Sequence, residues 1–137
     1  MNTKIVLASH GGLASGLLDT AKMIIGEIPF EVEVYSLQPG KFAEDYAKQL
    51  KKEMESNQDI EYVLLTDIYG ASVFTAMYGC VEMSNVKLFS GMNLNMLLSV
   101  CLEHPQVLQK SDIEQILTDA RTGIQFAEPQ EEETEEF

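Results

Sequence analysis

Tryptophan is absent from this chain of 137 residues, and cysteine and histidine occur only twice each. Two cysteines and two scattered histidines supply no zinc-ligand spacing. Cys80 and Cys101 both fall in apolar stretches and read as buried free thiols, as expected of a reducing compartment. Basic residues are scarce as well: nine Lys and Arg stand against 22 Asp and Glu, for a net charge of −13. The lack of a basic cluster argues against nucleic acid and anionic membranes as partners. No apolar run is long enough to cross a bilayer, and Met1-Asn2-Thr3-Lys4 leads directly into a strand. Neither a signal peptide nor a membrane segment is therefore expected, and the cytoplasm is the expected compartment.

What is present is an ordinary globular composition, 45% hydrophobic and 23% charged, in a length suited to one domain. The acids are unevenly spread. Residues 128–137 hold six of them and no base, so nine bases against the sixteen remaining acids leave residues 1–127 at −7. The expected organisation is one domain over 1–127 and a solvated, disordered acidic tail over 128–137.

Strand and helix patterns alternate along the domain. Residues 4–9 and 60–66 are continuous apolar runs, the signature of strands covered on both faces. Phe30-Glu31-Val32-Glu33-Val34 alternates strictly, which predicts an edge strand with one wet face. Val86–Phe89 is a fourth strand. Between them, Leu13, Leu17, Leu18, Ala21, Ile24 and Ile25 recur at helical spacing. So do Phe42, Tyr46, Leu50 and Met54 after the Pro39-Gly40 break. Gly70-Ala71-Ser72 opens a helix carrying Val73, Phe74, Met77 and Val81. Gly91-Met92-Asn93 leads into a Leu/Met-rich helix that stops before His104-Pro105, where His104 reads as a partner of the helix C-terminal dipole. Ser111 or Asp112 is expected to cap a last helix ending at Gly123, and Ile124 with Phe126 suggests a short fifth strand. The whole predicts a doubly wound α/β fold, mostly parallel, of strand order 2-1-3-4 with helices on both faces.

In such sheets chemistry gathers at the carboxyl ends of the strands, at the switch point between strands 1 and 3. His10 ends the first strand and Asp67 follows the third, so the two should face each other there. A carboxylate accepting one ring N–H fixes the imidazole tautomer and makes the other nitrogen nucleophilic. Gly11-Gly12 and Gly70-Ala71-Ser72 are small segments that open helices, where unpaired amides bind anions. No Lys or Arg occurs in residues 9–16 or 67–74. A phosphoryl group would be held by backbone amides and the Ser72 hydroxyl alone, which suits transfer better than storage. No acidic triplet for Mg²⁺ is apparent, so no metal or cofactor is expected. Two other readings fit the same residues. One is a non-catalytic regulatory or binding domain in which His10 only bonds its loop. The other is a small hydrolase using Ser72, His10 and Asp67, although no G-x-S-x-G elbow surrounds Ser72. The G-x-G-x-x-G spacing of a dinucleotide site is lacking.

Three segments, Ile5-Val6-Leu7-Ala8-Ser9-His10-Gly11, Leu65-Thr66-Asp67-Ile68-Tyr69-Gly70-Ala71-Ser72 and Gly91-Met92-Asn93-Leu94-Asn95-Met96-Leu97, resemble the IIA domain of the mannose-family sugar phosphotransferase system. The similarity covers most of residues 3–127. The resemblance implies that His10 takes a phosphoryl group from the phosphorylated histidine-containing carrier protein and passes it to a IIB protein. The IIC and IID membrane components then import and phosphorylate the sugar. It also implies that Asp67 hydrogen-bonds His10, that the Ser72 loop helps bind the phosphoryl group, that Nε2 is the phosphorylated nitrogen, and that the protein is a homodimer. The last strand would run antiparallel and be exchanged between subunits. This chain departs from the family pattern at Ala71, Val73, Thr75 and Asn95, where Gly, Pro, Asn and Pro are usual.

Overall fold

Aliphatic and β-branched runs become four strands: β1 (Asn2–His10), β2 (Glu31–Leu37), β3 (Ile60–Thr66) and β4 (Val86–Phe89). The amphipathic stretches between and after them become α1 (Leu13–Ile25), α2 (Ala43–Ser56), α3 (Ser72–Tyr78), α4 (Leu94–Glu103) and α5 (Lys110–Thr122). This computed structural model describes residues 2–103 and 107–130, so His104 and most of the acidic tail lie outside the described residues. The strands form one sheet of order β2-β1-β3-β4, parallel throughout. Ala8 pairs with Thr66 across β1 and β3, and His10 pairs with Leu37 across β1 and β2.

The two faces of the sheet bury separate cores. Ile5, Leu7, Val63 and Leu65 pack with Ala14, Ala21, Leu97, Val100 and Ile116, under α1, α4 and α5. Val6, Ala8, Tyr62 and Leu64 pack with Leu50, Met54, Val73 and Met77, under α2 and α3. Burial of each such aliphatic side chain contributes about 1.5–3 kcal/mol, so both central strands are anchored from above and below. Cys80 and Cys101 are buried free thiols. Among the described residues no helix is long and apolar enough to cross a membrane.

Four expectations are corrected. First, β2 is an edge strand, but its glutamate face is only partly wet: the Glu31 side chain is 69% exposed and that of Glu33 33%. Lys4, 6% exposed, lies on that face and is held by Glu33 and Glu53 at 2.9 Å each and by Glu31 at 3.5 Å. Tyr46 from α2 stacks on Tyr35 and donates to Glu33. The alternation thus records a set of partners for a buried cation. Second, Phe42 is the extended residue before α2 and is 69% exposed, and Val81 lies beyond α3 and is also exposed. Helical spacing does not apply outside the helix. Third, α5 starts earlier than expected. Gln109 is its N-cap, and Asp112 is the third helical residue, accepting the Gln109 amide at 2.8 Å in a capping box. Fourth, no strand forms over 123–127. Ile124 and Phe126 are 74% and 86% exposed, and the segment pairs with no strand among the described residues.

Candidate functional site

The parallel register of β1 and β3 brings their carboxyl ends together, and His10 and Asp67 meet there as expected. Asp67 Oδ2 accepts both the backbone amide of His10 and its ring Nδ1, each at 2.7 Å. Asp67 is 6% exposed, whereas the His10 side chain is 47% exposed. Burial alone would raise the Asp67 carboxyl. The His10 amide, its ring and the Ile68 amide outweigh burial and hold the group below the ordinary aspartate value. Asp67 is therefore an ionised acceptor, and Nδ1 carries the ring proton. Nε2 lies on the exposed side of the ring, 3.1 Å from the Ser72 hydroxyl.

The backbone of Asp67 is pinned from β4. Gly91 donates its amide to the Asp67 carbonyl at 2.5 Å, Met92 donates to Thr66 at 2.9 Å, and the Thr66 hydroxyl donates to Phe89 at 2.8 Å. On the His10 side, the fully buried Ser9 hydroxyl accepts the Ala14 amide at 2.8 Å. That bond caps α1, whose N-cap Gly12 offers no side chain of its own. Sequence reasoning assigned no role to Ser9, Thr66 or Gly91. The signals available were a buried hydroxyl before the histidine and a Gly-x-Asn segment inside the resemblance.

The two glycine segments divide their tasks. Gly11 takes φ +54° and spends its amide on the Leu37 carbonyl at 2.9 Å, so it shapes the turn. Gly12 and Leu13 open α1, where amides have no intrahelical acceptor. In the other segment Gly70 takes φ +81°, and Ala71 is extended at φ −83° with its amide on the Ile68 carbonyl. Alanine at 71 therefore costs no backbone strain, because the left-handed position falls on Gly70. Ser72 opens α3, with Val73 fully buried behind it. Thr75 donates its hydroxyl to the Gly70 carbonyl at 3.3 Å and closes the turn. Around the histidine, Leu13, Ile68 and Tyr69 are 49%, 67% and 76% exposed, an apolar rim with no charged member. Among the described residues, no group of three or more His, Cys, Asp or Glu is placed to hold a metal ion.

Fold and site together define a class: a doubly wound α/β domain that presents a carboxylate-oriented histidine at its switch point. The chain belongs to the mannose-type IIA family of the sugar phosphotransferase system, since a family model described as PTS system fructose IIA component matches residues 4–117. Membership makes it a component of phosphoryl transfer in sugar uptake. It is 28% identical over 109 residues to the PTS system sorbose-specific EIIA component of Klebsiella pneumoniae, covering 79% of this chain and 78% of that protein. It superposes on phosphotransferase system component EIIA from Streptococcus agalactiae with TM-score 0.77 and 26% identity, over 90% of this chain and 96% of that one. The mannose/sorbose-specific IIA subunit from Enterococcus faecalis shares the fold, with TM-score 0.81 and 17% identity over 97% and 100% of the two chains.

Proposed function

We propose that His10 is the phosphoryl-carrying residue and that Nε2 is the nitrogen that carries the group. The observation behind this reading is the Asp67–Nδ1 bond, which leaves Nε2, contacted among the described residues only by the Ser72 hydroxyl, as the exposed nucleophile. The Nε2 lone pair forms an N–P bond to the phosphorus of the histidine-containing phosphocarrier protein. As it does so, the donor's own N–P bond breaks and its electron pair stays on the donor. The group then passes to a IIB protein by the same step in reverse roles, and through the IIC and IID components to the sugar.

Phosphoryl oxygens would be held by the amides of Gly12, Leu13 and Gly70 and by the Ser72 hydroxyl, with Gly11 and Ala71 shaping the two turns. No cation is needed, because helix-terminal amides already favour the anion. The added charge of nearly −2 sits close to Asp67. That repulsion keeps the intermediate reactive while the Nδ1–H bond holds its ring. The working unit is residues 1–127, in the cytoplasm, as a homodimer.

Incubation with phosphoenolpyruvate, enzyme I and the carrier protein should add one acid-labile phosphoryl group to the chain. Mass spectrometry should find it on His10 and find none in His10→Ala. A chain that takes up no phosphoryl group, or takes it up equally in His10→Ala, sinks this reading. The Ser72–Nε2 contact supports a second reading, a Ser-His-Asp hydrolase. That reading requires turnover of small esters that Ser72→Ala abolishes, whereas a carrier loses only part of its transfer rate in that variant.

A further inference from the structure

The Gly91-Met92-Asn93 segment has no place in the chemistry above, yet its hydrogen bonds run in two directions. Its amides hold the site: Gly91 at φ +68° donates to the Asp67 carbonyl, and Met92 donates to Thr66. Its side chain holds two helix ends. Asn93 Oδ1 accepts the Met96 amide at 2.9 Å, capping α4, while Nδ2 donates to the Ala120 carbonyl in the last turn of α5 at 2.8 Å. The α4–α5 junction is tight at this point. A β-carbon on Gly123 would lie 2.0 Å from the Asn95 side-chain nitrogen. A continuous set of bonds therefore links Ala120 to Asn93, Gly91 to the Asp67 carbonyl, and Asp67 to His10.

We propose that Asn93 is a positioning residue for His10, acting through the Asp67 loop. This rests on the phosphoryl-carrier reading. Asp67 must accept two hydrogen bonds from His10 on one oxygen, a geometry that tolerates little movement of its backbone. The Gly91 amide fixes that backbone, and glycine in a left-handed conformation has no intrinsic stiffness to keep its amide aimed. The stiffness comes from Asn93, two residues further on, whose side chain is bonded to two helix termini. The side chain has two separable functions: its carbonyl caps α4, and its amide tethers α5. Only the tether ties His10 to the helix from which the terminal segment departs.

Asn93→Asp separates them. The carboxylate still accepts the Met96 amide, but it has no donor for Ala120 and repels the carbonyls at the end of α5. The test uses the full chain with circular dichroism as the folding control. In unphosphorylated protein, the His10 Nδ1–H resonance bonded to Asp67 should shift or broaden in Asn93→Asp. In the transfer assay the kcat for phosphoryl uptake should fall about tenfold while the KM for the carrier protein changes less than about twofold. Asn93→Ala, which loses the cap as well, should show the same resonance change with a larger loss of thermal stability. An Asn93→Asp protein with the parent's resonance and kcat overturns the proposal, leaving Asn93 as a helix cap only. The resonance decides the matter even if the parent chain accepts no phosphoryl group, so the two readings fail separately. If Asn93→Ala does not fold, Asn93→Asp alone decides.

Discussion

At the scale of single residues, the site depends on which proton sits on which nitrogen. Asp67 is an acceptor only, so it selects the Nδ1–H tautomer of His10. Asp67→Asn preserves shape but offers an amide that can donate to Nδ1, which favours a proton on Nε2 and blocks the nucleophile. The phosphoryl-uptake rate of Asp67→Asn is expected to fall roughly 10²–10⁴-fold, by analogy with tautomer inversion in triads. Rapid-quench measurement checks this, and a fall of less than tenfold would show that orientation by Asp67 is dispensable. His10 and Asp67 were legible in the sequence because polar residues directly after continuous apolar runs stand out. Ser9 was not, since a serine closing an apolar strand looks like a small core residue. Its role as the distant cap of α1 exists only once the turn at Gly11 brings it back onto Ala14.

At the scale of elements, the strand order and most helix faces followed from periodicity, whereas errors arose where a neighbouring element supplied a partner. The β2 glutamates read as merely solvent-facing because periodicity cannot show that Lys4 reaches both and that Tyr46 of α2 donates to Glu33. The α5 start was misplaced because Asp112 caps equally well from inside a capping box. The junction of α4 and α5 gives a direct check on packing. Gly123 has an ordinary φ of −77°, so a substitution there meets no backbone strain, only the Asn95 side chain at 2.0 Å. Gly123→Ala should therefore lower stability by only about 0.5 kcal/mol as the exposed Asn95 side chain swings away. The double variant with Asn95→Ala should recover most of the loss in thermal unfolding. Equal loss with and without Asn95 would place the cost elsewhere.

At the scale of the whole molecule, charge and exposed apolar surface set behaviour. Burial would raise the Glu33 carboxyl, but the Tyr46 hydroxyl and the Lys4 ammonium outweigh it and hold it below its ordinary 4.5. The folded state therefore binds fewer protons than the unfolded chain. That stabilisation is fully present above pH 4.5 and is lost as the pH falls through the folded value. Asp67 adds a similar loss from its ordinary 3.8 downward. Thermal midpoints should drop below pH 4.5, and the drop should be shallower in Glu33→Gln. The opposite end of the sheet raises the question of assembly. A groove of about 400 Å³ runs beside β4, lined by Leu88, Phe89, Met96, Ile113 and Leu117 with Ile124 at its rim. The β4 edge carries unpaired backbone groups, and the exposed Ile124 and Phe126 alternate as a strand would. In the single chain the segment is coil. In a homodimer the β4 edge of a second copy would offer it a ladder, and the two apolar side chains would enter its groove. Sedimentation equilibrium should then find dimers for the parent and monomers for the double variant Ile124→Asp with Phe126→Asp, both with the same helical circular dichroism. Dimers that survive both substitutions would mean that the copies associate through another face.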